Sequence, residues 1–168
     1  MRCIMKIDLK PVIFAPDTEI PIDCRLDFRE EEINGEHLFY KPVSVSGSVK
    51  NHAGIIEMFL DVSAPVKTAC ARCGKEVLFN KIIQIDTVLV KELENGDETE
   101  NITVISGDEV EIDEIVRSEL ILNMDMAYLC SEDCKGLCPQ CGHDLNDGPC
   151  SCKPPMDDRF AELLKLIK

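Results

Sequence analysis

The segment Val43-Ser44-Val45-Ser46-Gly47-Ser48-Val49, continued after His52-Ala53-Gly54 by Ile56-Glu57-Met58-Phe59-Leu60-Asp61-Val62, decides the fold. Val43, Val45 and Val49, then Ile56, Met58, Leu60 and Val62, recur at every second position, the period of a strand with one face buried. The His-Ala-Gly break between them divides the run into two strands. Pro65, with no N–H for a ladder, is expected to end or bend the second strand near a sheet edge.

Working outward, the same alternation appears upstream in Cys3, Met5, Ile7, Leu9 and in Ile22, Cys24, Leu26, Phe28, so Cys3 and Cys24 fall on buried phases as small hydrophobes. Downstream, Glu76 to Val90 carries apolar residues on both phases, which predicts a long central strand packed on both faces. The acidic stretch Glu92 to Glu100 reads as a solvated turn, as does Glu30-Glu31-Glu32, and Ile102 to Ile105 as a short strand. A meander is the economical topology. After Gly107 the period changes: Ile112, Ile115, Val116, Glu119, Leu120 and Asn123 fit a helix of roughly three turns packed on the sheet, with Asp108 or Asp113 as N-cap. The expected fold is α+β: a mostly antiparallel sheet or partly closed barrel, one packed helix, and a cysteine-rich tail ending in a short helix. Residues 1–129 form the strand-rich domain and 130–168 the tail. Phe160, Leu163, Leu164 and Ile167 give the terminal helix its stripe, capped by Asp157 or Asp158.

The chain has ten cysteines in 168 residues, six of them between positions 130 and 152. Met1 to Asp8 carries charge every few residues and lacks the apolar stretch of a signal peptide, so a cytoplasmic location is expected. A reducing compartment turns the cysteines toward metal or redox chemistry rather than disulfides. Cys70-Ala71-Arg72-Cys73-Gly74 and Cys138-Pro139-Gln140-Cys141-Gly142 are two copies of a zinc knuckle, in which a two-residue spacer lets both sulfurs reach one ion. The glycine after each knuckle permits a turn with positive φ that aims N–H groups at sulfur.

Each knuckle needs a second pair, and Cys130 with Cys134 and Cys150 with Cys152 are available. Joining the first knuckle to Cys130 and Cys134 closes loops of 56 and 8 residues; the crossed choice closes 64 and 15. The difference of about 0.7 kcal/mol leaves both pairings open. Either way, eight thiolates make two closed tetrahedral sites with no position for water, hence two structural zinc ions rather than a hydrolase. Zinc is preferred over an iron–sulfur cluster because neither copy has a ferredoxin spacing. A redox dithiol is disfavoured because Cys70 and Cys73 lie between strands rather than at a helix start. Of the three histidines only His143, inside the second knuckle loop, is placed to substitute as a ligand.

With 18 Lys and Arg against 32 Asp and Glu, the formal charge is −14, which repels a phosphate backbone and attracts basic surfaces. No apolar run approaches the ~18 residues of a membrane span. No glycine-rich phosphate loop, nucleophile triad or His-Glu-x-x-His helix occurs, so neither catalysis nor a small-molecule substrate is indicated.

The order Cys70-x-x-Cys73, Arg117-Ser118-Glu119-Leu120-Ile121-Leu122, Leu129-Cys130-Ser131-Glu132-Asp133-Cys134-Lys135-Gly136-Leu137-Cys138-Pro139-Gln140-Cys141-Gly142, Asp144-Leu145-Asn146 and Cys150-Ser151-Cys152 resembles the YceD family of large ribosomal RNA subunit accumulation proteins. The match departs from the family at Met124-Asp125-Met126, where proline is common, and at Asp157-Asp158-Arg159, where Asp-Pro-Arg is usual. Some relatives keep the first knuckle and a later ligand pair without the second cluster. The resemblance thus implies that Cys70, Cys73, Cys130 and Cys134 form one site and Cys138, Cys141, Cys150 and Cys152 the other. It further implies a non-enzymatic factor supporting accumulation of large-subunit (23S) rRNA. Charge then favours a basic ribosomal or assembly protein as partner. The alternative is direct rRNA contact through Arg72, Lys75, Lys135, Lys153 and Arg159, because the tail, with five basic against seven acidic residues, is less acidic than the rest.

Overall fold

The computed structural model describes residues 5–15, 17–33, 35–91 and 101–152. Cys3, the acidic stretch 92–100 and the terminal helix expected after residue 157 lie outside them. The chain divides into two compact units. One comprises the chain through Thr68 together with Leu78–Met126, the other Ala69–Val77 together with the chain from Ala127 onward.

In the first unit the elements run β1 (Lys6–Asp8), α1 (Lys10–Phe14), β2 (Glu19–Leu26), β3 (Val43–His52), β4 (Ile55–Ala69), β5 (Glu76–Val90), β6 (Ile102–Val104), β7 (Glu109–Glu111) and α2 (Ile112–Asn123), with β4 and β5 extending into the second. Strands β2 to β6 form one open sheet in chain order, while β1 and β7 pair separately. β2 is antiparallel to β3, from Glu19↔Lys50 to Leu26↔Val43, and β3 to β4, from Ser44↔Ser63 to His52↔Ile55. The meander ends at β6, which runs parallel to the end of β5. The fold is α+β and sheet-dominated, and the sheet does not close into a barrel.

The break read at 52–54 is a two-residue hairpin loop in which both Ala53 (φ 54) and Gly54 (φ 91) are left-handed, the conformation whose twist matches a β-hairpin. The Asn51 side chain ties it down, accepting from the Gly54 N–H at 2.9 Å and donating to the Val12 carbonyl. Val43, Val45, Val49, Met58, Leu60, Val62 and Val66 form the sheet's buried face, against which Ile112, Val116 and Leu120 of α2 pack in one apolar cluster. Gly47 shares the phase of the valines because a side chain there has no room: a Cβ would lie 2.0 Å from the Phe59 carbonyl oxygen.

Several expectations need correction. β4 runs straight through Pro65, which falls beyond Ser63, the last residue that β3 pairs, so no β3 ladder bond is lost. β5 buries one face only, since Leu78 and Ile82 are 55% and 68% exposed, and α2 supplies a layer to the other side. The helix is preceded by Glu111 without a side-chain cap, and Asp113 lies in its first turn. Asp108 instead accepts the Leu9 N–H through its carbonyl and pairs Lys91 through its carboxylate. A short helix, α1, follows β1 because Pro11 opens a turn there. Glu31 is buried rather than solvated: Arg117 of α2 reaches it at 3.2 Å, and His37 Nδ1 donates to its carbonyl. Cys24 is half-buried on the predicted phase, and burial pushes its thiol above the ordinary value. Among the described residues no helix is long and apolar enough to cross a membrane.

The Gly47 contact sets a test of the sheet. Gly47→Ala is expected to lower unfolding free energy by about 3 kcal/mol, the upper range for overpacking. Gly54→Ala, which meets open space, should cost only the left-handed strain of about 1 kcal/mol. Equal shifts of the two urea midpoints would contradict the steric reading.

Candidate metal centres

Eight cysteines converge as two groups of four in the second unit. Cys70, Cys73, Cys130 and Cys134 form one, and Cys138, Cys141, Cys150 and Cys152 the other; within each, all sulfurs lie within 4.8 Å of one another. The pairing that loop closure left open is therefore the local one. Cys70 Sγ lies 3.8 Å from Cys134 Sγ and Cys73 Sγ 3.6 Å from Cys130 Sγ. A disulfide needs ~2.05 Å, whereas a tetrahedron of sulfurs around one ion at ~2.3 Å has edges of about 3.8 Å. Each group could hold a metal ion.

The knuckles build this geometry by the same backbone device. Gly74 N donates to Cys70 O at 2.8 Å and Gly142 N to Cys138 O at 2.9 Å. Cys70 N donates to Lys75 O and Cys138 N to His143 O, both at 2.8 Å. Gly74 and Gly142 have φ of 71 and 72, so the glycines serve the turn that the sequence predicted. A third glycine, Gly136 (φ 74), follows Cys134, and a Cβ there would stand 3.0 Å from the Arg72 carbonyl. His143 enters through its carbonyl and not as a member of either sulfur group.

Backbone N–H groups aimed at sulfur favour the thiolate. The Cys73 N–H holds Cys70 down to about 6, and the N–H groups of Cys141 and Gln140 do the same for Cys138. The Asn146 side chain lowers Cys134. Once some sulfurs are charged, their neighbours resist: Cys134 and Cys73 push Cys130 up to about 12, and Cys141 pushes Cys152 up to about 12. The result is an array that donors draw toward charge and that mutual repulsion keeps partly protonated. A cation at the centre relieves that repulsion.

The polar surroundings of the first group went unread in the sequence. Arg72 Nη1 donates to the carbonyl of Cys134 at 2.7 Å and to that of Glu132 at 3.4 Å. Lys75 pairs with Asp144 at 2.7 Å and with Asp147 at 3.8 Å. That contact with Lys75 holds the Asp144 carboxyl down to about 2. The pair therefore stabilises the unit above the ordinary carboxylate range and stops doing so as pH falls through about 2. Only the span Asp144-Leu145-Asn146, standing between two cysteine pairs, signalled such a role.

This is a sheet protein whose second unit is organised by two four-cysteine groups. The family model described as large ribosomal RNA subunit accumulation protein YceD matches residues 58–167, more than half of the chain, and the chain belongs to that family. It is similar to uncharacterized proteins of Mycobacterium bovis and Mycobacterium tuberculosis, each 26% identical over 109 residues, covering 63% of this chain and 53% of theirs. The chain thus spans about half the length of the curated relatives it matches. No solved structure matches it.

The electrostatics set a pH dependence. Filling a group with a thiophilic divalent cation must expel the protons that neighbouring sulfurs hold on Cys130 and Cys152. Titration of metal-free, reduced protein at pH 7 is expected to release protons measurable in a pH-stat, with affinity rising as pH is raised and falling as it drops toward 6. Binding without proton release would contradict the arrangement.

Proposed function

We propose that this chain is a non-enzymatic ribosome-assembly factor supporting accumulation of large-subunit (23S) rRNA in the cytoplasm, in which both cysteine groups hold structural zinc. The ribosomal role follows the family, whose description names that accumulation. The non-catalytic reading is carried by one observation, the four sulfurs of each group lying within 4.8 Å of one another. A tetrathiolate of this size takes one ion and fills its coordination, leaving no place to activate water. Sulfurs within 4.8 Å suit a single ion better than a cluster of several irons set between them. Here zinc would contribute folding free energy and nothing to bond-making.

The formal charge of −14 favours a basic ribosomal or assembly protein as the partner. Direct rRNA contact through the knuckles is less favoured because two of the five candidate cations are already engaged: Arg72 on backbone carbonyls, Lys75 on Asp144 and Asp147. Lys135 remains exposed, while Lys153 and Arg159 lie outside the described residues. Two zinc-tetrathiolate sites would add about −2 each, making that surface still less inviting to phosphate.

Protein purified without added metal or chelator is expected to contain about two zinc ions per chain, by the four-ligand count. Cys141→Ser should remove the ion of its own group. Near-zero metal in reduced, folded protein would remove the zinc reading. In cells, deletion should lower the ratio of large to small ribosomal subunits, and Cys70→Ser with Cys73→Ser should reproduce part of the defect. Normal ratios in the deletion strain would refute the ribosomal role. Affinity capture separates the partners: a basic ribosomal protein retained after nuclease supports the protein partner, whereas rRNA recovery abolished by nuclease supports the alternative.

A further inference from the structure

The two cysteine groups are joined by a polar bridge that belongs to both. Asn146 lies in the eight-residue loop between Cys141 and Cys150, inside the second group's own ring, yet its side-chain amide reaches the first group: Nδ2 stands 3.5 Å from Cys134 Sγ. The amide's orientation is determined by its other partners. Nδ2 also donates to Asp144 Oδ1 at 2.7 Å, and Oδ1 accepts the Lys135 N–H at 2.8 Å. A flipped amide would set oxygen against a carboxylate and a sulfur, and N–H against N–H.

The loop holding Asn146 is itself fastened at several points. Asn146 N donates to Asp144 Oδ1 at 2.9 Å, Leu145 N to Gly136 O at 2.9 Å, and Asp144 pairs with Lys75, two residues beyond Cys73. Only Lys135-Gly136-Leu137 separates Cys134 from Cys138. Closing the second group around an ion therefore fixes both ends of the loop that positions Asn146. A hydrogen bond onto a metal-bound thiolate spreads its charge and orients the ligand, and such outer contacts typically change metal affinity by ~10–100-fold when removed.

We propose that Asn146 is a positioning residue that the second cysteine group supplies to the first, so that metal in one raises the affinity of the other. The proposal rests on the reading of both groups as metal sites. By linkage the coupling is reciprocal: whatever the second ion does for the first, the first does equally for the second.

The test uses full-length reduced chain loaded with cadmium, followed by chelator competition and by cadmium NMR, with the first group's resonance assigned as the one lost in Cys73→Ser. Asn146→Ala is expected to weaken the first group's ion by ~10–100-fold and to shift its resonance, and to weaken the second's ion by the share of that loss that is coupling. Asn146→Asp keeps an oxygen for the Lys135 N–H but turns a carboxylate oxygen toward Asp144 and the sulfur in place of the donor, so it should weaken the same ion more than Asn146→Ala does. Unchanged affinity and resonance at the first group in both variants would overturn the coupling, as would an Asn146→Ala loss at the first group that is just as large when Cys141→Ser has already emptied the second, which marks a role independent of the second ion. Failure of the unsubstituted chain to bind cadmium would instead refute the metal sites themselves.

Discussion

Four sulfur atoms held within 4.8 Å of one another repel once charged, and the second unit of this protein gathers two such groups. Its backbone aims N–H groups at Cys70 and Cys138, which draws them toward the thiolate, while Cys130 and Cys152 are pushed the other way by the sulfurs beside them. A central metal ion is the simplest neutraliser, and it would convert a repulsive array into a cross-link between segments 57 residues apart, from Cys73 to Cys130.

The two units solve the folding problem differently. The sheet unit buries valines, leucines and isoleucines from five strands and two helices in one cluster, enough apolar area to hold together by the hydrophobic effect. In the second unit the buried apolar cluster among the described residues is Cys70, Cys73 and Cys134 with Val77 against them. That is too little to offset the ordering of so many turn residues. Backbone hydrogen bonds and ion pairs supplement it, but the sulfur groups are its core.

Much of this was legible in the chain because period and spacing are local properties. Alternation at Val43 to Val62 specified two strands, the His52-Ala53-Gly54 break marked where they part, and the change of period after Gly107 marked α2. Knuckle spacing with a following glycine marked four cysteines, and the close pairs Cys130 with Cys134 and Cys150 with Cys152 supplied the other four. The failures also have local causes. Alternating apolar residues on β5 did not say whether a second layer would cover Leu78 and Ile82, and Pro65 did not reveal where the neighbouring strand ends.

The sequence by itself determined the long strands, α2 and the two knuckles, since each depends on residues within a turn or two of one another, and the net charge, which is a sum over residue types. Only the tertiary structure decided which pairs share a sulfur group, because the loop-closure difference of about 0.7 kcal/mol is comparable to thermal energy. It alone brought Arg117 to Glu31, Lys75 to Asp144 and Asn146 to Cys134. Those contacts join residues between 12 and 86 positions apart, and a single sequence carries no period or spacing that encodes such a meeting. It follows from where the packed sheet and the sulfur groups place the backbone.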